Sequence, residues 1–128
     1  MSAEGDILWG HFPTAEHVPG MHPGIVVGRF GAATVVLVGT SRGTWNVAGN
    51  QLVMTPADVG ERAWRASGLS KPTRFDFDGG RIVLLGTRSF HAELIGTARG
   101  DDAWMQALAK GQAIVAGRLV ELARATRR

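Results

Sequence analysis

Two β-branched runs, Gly24 to Phe30 and Ala33 to Val38, stand only Gly31-Ala32 apart, and this spacing constrains the fold more than any other stretch. A link that short joins two strands as an antiparallel hairpin. Gly24-Ile25-Val26-Val27 is apolar on both faces of a pleat, so the strand it begins is expected to be buried on both sides. In front of it, Pro19-Gly20-Met21-His22-Pro23 is a loop stiffened by two prolines. Pro23 has a fixed φ and biases His22 toward extended geometry, so one ionisable side chain is delivered to the start of a rigid strand. A group placed there is held and wet, which chemistry requires and packing alone does not.

The rest of the chain supplies more short strands. Asp6 to Phe12 alternates, with Ile7, Trp9 and His11 on one face, which predicts a half-buried strand whose His11 bonds backbone at the core edge. Pro13 ends it, and Thr14 to Met21 has no apolar period. Gln51 to Met54 is a further short strand. Thr55-Pro56-Ala57-Asp58 has a capping threonine, proline at the first helical position and an aspartate three residues after the cap, predicting a short helix near 56–66 that ends by Gly68. Thr73 to Phe77 and Arg81 to Leu85 read as a hairpin across Asp78-Gly79-Gly80, and His91 to Ile95 as a last strand.

Asp101-Asp102 opens a C-terminal helix near 102–126, with Trp104, Leu108, Gly111, Val115, Leu119 and Leu122 on one apolar stripe. Such a stripe suits a helix packed on its own sheet better than a membrane or partner helix. Short strands in succession with two helices argue against alternating βα units. The expected class is α+β, mainly antiparallel β, a small, strongly bent sheet or barrel forming a single domain over residues 1–128.

Composition limits the function. With 45% hydrophobic and 20% charged residues there is material for a core and no case for disorder. The net charge of +3 is matched by Arg124, Arg127 and Arg128 in the tail, so nucleic-acid binding would need a local basic groove. The absence of cysteine removes disulfides and thiol chemistry and fits a reducing compartment. No secretory signal and no apolar run long enough for a bilayer is read, so a soluble cytoplasmic protein is expected, without a membrane partner.

The candidate residues each admit two readings. His22 is either an acid-base group or a satisfied surface histidine. Thr40-Ser41 ends the second strand of the hairpin, either as hydroxyl donors to a ligand or as local backbone partners. Arg42 follows as the nearest cation in sequence, with Arg29 a poorer one. His17 is either a groove contact or solvated, and Trp45, in a polar glycine-rich loop, is either a base-stacking surface or a lid on the core. His91 has no evident partner. No metal site is expected, because the four histidines lack metal-ligand spacing, and Gly39 to Gly43 lacks the P-loop spacing and its lysine.

Order and spacing then suggest a family. Gly5-Asp6-Ile7-Leu8-Trp9, Pro19 to Val27, Val35-Val36-Leu37-Val38-Gly39-Thr40-Ser41, and Ser67-Gly68-Leu69 before Pro72-Thr73-Arg74-Phe75-Asp76 together resemble the PemK/MazF toxins of bacterial toxin-antitoxin pairs over roughly residues 5 to 86. The resemblance implies a compact SH3-like β-barrel, usually a homodimer, that cuts single-stranded RNA without a metal or other cofactor and is neutralised by a cognate antitoxin. It implies catalytic roles for His22, Thr40 and Ser41, and substrate contacts from Arg42, His17, Trp45 and Arg29.

This chain departs from the family at the centre of the motif. Where the pattern has arginine before proline, His22 stands before Pro23. Arginine is a permanent cation with a fork suited to phosphate, whereas histidine is charged only in part near neutrality and exchanges protons readily. The alternatives are a non-catalytic module of the same fold that binds RNA or protein and, by fold analogy, a CcdB-like poison of a protein target.

Overall fold

The computed structural model describes residues 3–12, 21–30, 33–41, 51–54, 60–76, 82–85 and 92–126. Within them lie strands β1 (Asp6–Gly10), β2 (His22–Phe30), β3 (Ala33–Thr40) and β4 (Gln51–Met54), helix α1 (Glu61–Ser67), strands β5 (Thr73–Asp76), β6 (Ile82–Leu85) and β7 (Ala92–Thr97), and helix α2 (Asp102–Thr126). Every strand pairing is antiparallel, in the order β4-β5-β3-β2-β1-β7, with β6 also on β3. The result is the small, β-rich α+β domain the sequence predicts.

The β2–β3 hairpin is its centre. Phe30 pairs with Ala33 and the register runs on to Gly24 opposite Val38, as a two-residue link requires. Ile25, Val26 and Val27 are all buried, and so are Val35, Val36, Leu37 and Val38. Alternation sends these side chains into two separate cores. Ile25, Val27, Val35 and Leu37 join Ile7, Phe75, Trp104 and Leu108 in the larger one, whereas Val26, Val36 and Val38 join Leu8 and Phe12 on the other face.

A bulge between Val26 and Gly28 breaks the β2–β3 ladder, and a bulge bends its strand. The carbonyl of Val27 accepts a hydrogen bond from Gln112 Nε2 at 2.8 Å, and that of Val26 accepts one from Gly5 N–H at 2.8 Å. Helix α2 is thereby tied to the kink in β2. Its start is set by Asp101, whose Oδ1 accepts from Trp104 N–H at 2.8 Å, a standard N-cap that satisfies one orphan donor of the first turn. Trp104 and Leu108 pack in the larger core and Gly111 is buried, so the first half of the predicted stripe packs on its own sheet; the side chains of Val115, Leu119 and Leu122 lie outside those described.

Three expectations need correction. β5 and β6 do not form a hairpin: both run antiparallel to β3 along one of its edges, β6 against Thr34 to Leu37 and β5 against Gly39 and Thr40. They lie end to end, and Asp78-Gly79-Gly80 falls between them outside the described residues. β1 is buried on both faces because Ile7 packs in the larger core and Leu8 in the smaller one, and His11, beyond its end, is exposed instead of lodged at a core edge. The helix bounded by the structure begins at Glu61 after Gly60 and has no side-chain cap; the start expected at Thr55-Pro56 falls outside the described residues. Its end agrees with expectation. Gly68 takes the left-handed conformation at φ 71 that favours glycine.

Candidate active site

Four strand ends and one turn enclose an open cleft of about 900 Å³. Pro23 and Gly39 lie on the same face as Ile25 and Leu37, one pleat repeat nearer the strand ends, and Trp9 and Thr73 bear the same relation to Ile7 and Phe75. The cleft therefore continues the larger core to the surface. Ile95 of β7 and the segment Gly68 to Lys71 complete the wall.

That segment is held firmly. Ser67 Oγ donates to the Trp64 carbonyl at 2.6 Å and accepts from Leu69 N–H at 3.2 Å, and Thr73 Oγ1 donates to the Lys71 carbonyl at 2.9 Å. Gly68 also sits against β7 so closely that an added Cβ would fall 2.0 Å from the Ile95 carbonyl oxygen. No other residue fits there without moving backbone. Leu69, Ser70 and Lys71 are consequently presented to the cleft from a fixed turn.

His22, Thr40 and Ser41 all line this cleft, as do Met21 and Lys71. His22 and Thr40 are half-buried; Ser41 and Lys71 are exposed. Each of the first two stands two residues beyond the Gly24/Val38 pair, so pleat alternation puts both on the same face of neighbouring strands. Arg74 of β5 pairs directly with Thr40 in the ladder. Histidine, hydroxyl and guanidinium thus form a row across β2, β3 and β5, with adjacent strands about 4.8 Å apart.

Arg74 and Lys71 were not singled out by the sequence. Their signals were Thr-Arg-Phe-Asp, in which Phe75 faces the core and Arg74 the other side, and a lysine closely following the glycine that ends a helix. Arg29 is at the opposite end of β2, paired with Thr34 and exposed, and does not line the cleft. His17, Arg42 and Trp45 lie outside the described residues. Among the described residues no group of three or more His, Cys, Asp or Glu could hold a metal ion, and no helix is long and apolar enough to cross a membrane.

No protein-family model matches the chain, and no curated protein matches it. Among the described residues, the cleft is lined by one histidine, His22, by the hydroxyl residues Thr40, Ser41, Ser70 and Thr73, and by one cation, Lys71, with apolar Trp9 and Pro23 beside them; Arg74 is the ladder partner of Thr40 and does not belong to the lining.

Proposed function

We propose that the chain is a PemK/MazF-like toxin, a metal-independent endoribonuclease of single-stranded RNA whose bent sheet is an SH3-like barrel. One observation carries the reading: the ends of β2 and β3 bring His22, Thr40 and Ser41 to one cleft, with Arg74 paired to Thr40. The reaction is transesterification. The ribose 2′-oxygen forms a bond to the adjacent phosphorus, the bond from phosphorus to the 5′-oxygen breaks, and the products end in a 2′,3′-cyclic phosphate and a 5′-hydroxyl. One proton must leave the 2′-hydroxyl and one must reach the departing oxygen.

His22 is the proton-exchanging group. Thr40 and Ser41 donate hydrogen bonds to the non-bridging oxygens, and Arg74 and Lys71 oppose the negative charge that grows on them. This division answers the departure in the motif. Where an arginine before the proline would stabilise charge, here the cations come from the turn and strand that follow α1, and position 22 is released for proton transfer. Trp9, on the floor, offers an indole face for a base. A cognate antitoxin would cover the same cleft, and the homodimer and cytoplasmic location follow from the family reading.

The test is incubation of the purified protein with a long unstructured RNA in chelator, beside Thr40→Ala and Arg74→Ala. Fragments ending in cyclic phosphate, reduced by both substitutions, are expected. RNA left intact would refute the nuclease reading, and tight binding without cleavage would favour the non-catalytic module.

A further inference from the structure

Helix α1 ends on the wall of the cleft, and its outer face is basic. Ala63 and Trp64 pack against the larger core and Ser67 is buried, so Arg62 and Arg65 are turned to solvent. They stand three residues apart, which makes them neighbours on one helix face, with Cβ atoms about 5–6 Å apart. Arg65 is also one turn from the cleft. Its carbonyl accepts from Gly68 N–H at 3.2 Å, and Gly68 is the first of the four consecutive residues that wall the cleft. Lys71, at the far end of that wall, is the one fixed cation lining the cleft among the described residues. Lys71, Arg65 and Arg62 thus form a series that begins inside the site and leads out of it along one firmly held stretch of chain.

The net charge of the chain is concentrated here. Across residues 61–74 four basic residues, Arg62, Arg65, Lys71 and Arg74, stand against Glu61, and the ten basic and ten acidic residues elsewhere cancel. Glu61 pairs with Arg65 one turn along the helix, but the two side chains are 74% and 77% exposed, and an ion pair in water holds its partners weakly, so a phosphate can compete for the guanidinium. The exposed positions of α1 are Glu61, Arg62, Arg65 and Ala66, with no large apolar side chain among them. Such a surface fits a solvated polyanion better than an apolar protein contact.

We infer that the strand leaving the cleft continues over the turn at 68–71 onto the outer face of α1, where Arg62 and Arg65 hold phosphates of flanking nucleotides that the reaction does not touch. The inference rests on the reading of the cleft as a site for single-stranded RNA. The cleft then carries the reacting phosphate, and α1 supplies sequence-independent affinity that grows with the length of the strand.

Binding of uncleavable 2′-deoxy strands tests it, because it needs no cleavage. The wild-type chain is expected to bind a strand of about 16 nucleotides roughly tenfold more tightly than one of about 4, the span of site sizes for single strands on small domains. Arg62→Ala combined with Arg65→Ala should weaken long-strand binding about tenfold and lower the slope of log affinity against log salt by about 1.4, two contacts at ~0.7 each, while changing short-strand binding by no more than about twofold. Glu61→Gln should tighten the long strand, an effect that damage to the fold does not produce, and circular dichroism should show every variant folded. Long-strand affinity and salt slope unchanged in the double variant would overturn the inference and leave this surface to an acidic protein; an equal loss on both strands would overturn it as well. The nuclease reading fails separately: long RNA left intact, with long-strand affinity still lost in the double variant, refutes cleavage and upholds the track. Failure of the wild type to bind either strand refutes both.

Discussion

The two ends of β2 carry similar-looking side chains and belong to different parts of the molecule. At one end His22 lines a cleft with Thr40, Ser41 and Lys71; at the other Arg29 is exposed opposite Thr34. The strand separates them by seven residues, about 23 Å at 3.3 Å per residue. No single phosphate touches both. Among the described residues, the His22 end has Thr40, Ser41 and Lys71 beside it in one cleft, and Arg29 is not part of that lining. The buried middle, Ile25 to Val27, anchors the strand in both cores.

Substitutions along this line should separate the ends. His22→Ala and Thr40→Ala should have the largest effect, each lowering single-turnover RNA cleavage by roughly 10²–10⁴-fold with little change in melting temperature. Arg74→Ala should follow, at about 10²–10³-fold, the cost typical of one lost charge-stabilising donor. Its neighbour provides the contrast: Phe75→Ala removes a fully buried ring and should cost ~3–5 kcal/mol of stability by denaturant titration. Lys71→Ala should act mainly on binding, lowering the salt dependence of affinity for an uncleavable 2′-deoxy strand by about one phosphate contact. Arg29→Ala should be smallest, within about twofold in rate and affinity, as for an exposed side chain outside the site. An Arg29 effect comparable to that of Arg74 would abolish the distinction between the two ends.

The sequence made the first half of the site legible because the information is local. A two-residue link fixes the β2–β3 register, and with the register fixed, His22 before one strand and Thr40 closing the other must share an end and a face. The second half is not local. Asp78-Gly79-Gly80 is a sound hairpin signal by its own chemistry, yet β5 and β6 both go to the edge of β3, because that edge buries Phe75 in the larger core. Arg74 reaches Thr40 only through that choice. His11 failed for a related reason: the alternation of β1 continues past Gly10 in sequence, but the strand does not. Arg42, His17 and Trp45 remain expectations drawn from resemblance.

Position 22 separates proton transfer from fixed charge at the cleft. Cleavage of one RNA in chelator should be followed from acid to alkaline pH for the wild type and His22→Arg. An imidazole can give up and regain a proton in water where a guanidinium cannot, so a proton-transferring His22 gives a wild-type rate that bends with pH. A rate falling toward acid marks His22 as the base, and one falling toward alkali marks it as the acid. His22→Arg, a permanent cation, should lose the bend whatever its residual rate. A wild-type profile flat across that range, or an identical bend in His22→Arg, would contradict the assignment of proton transfer to His22.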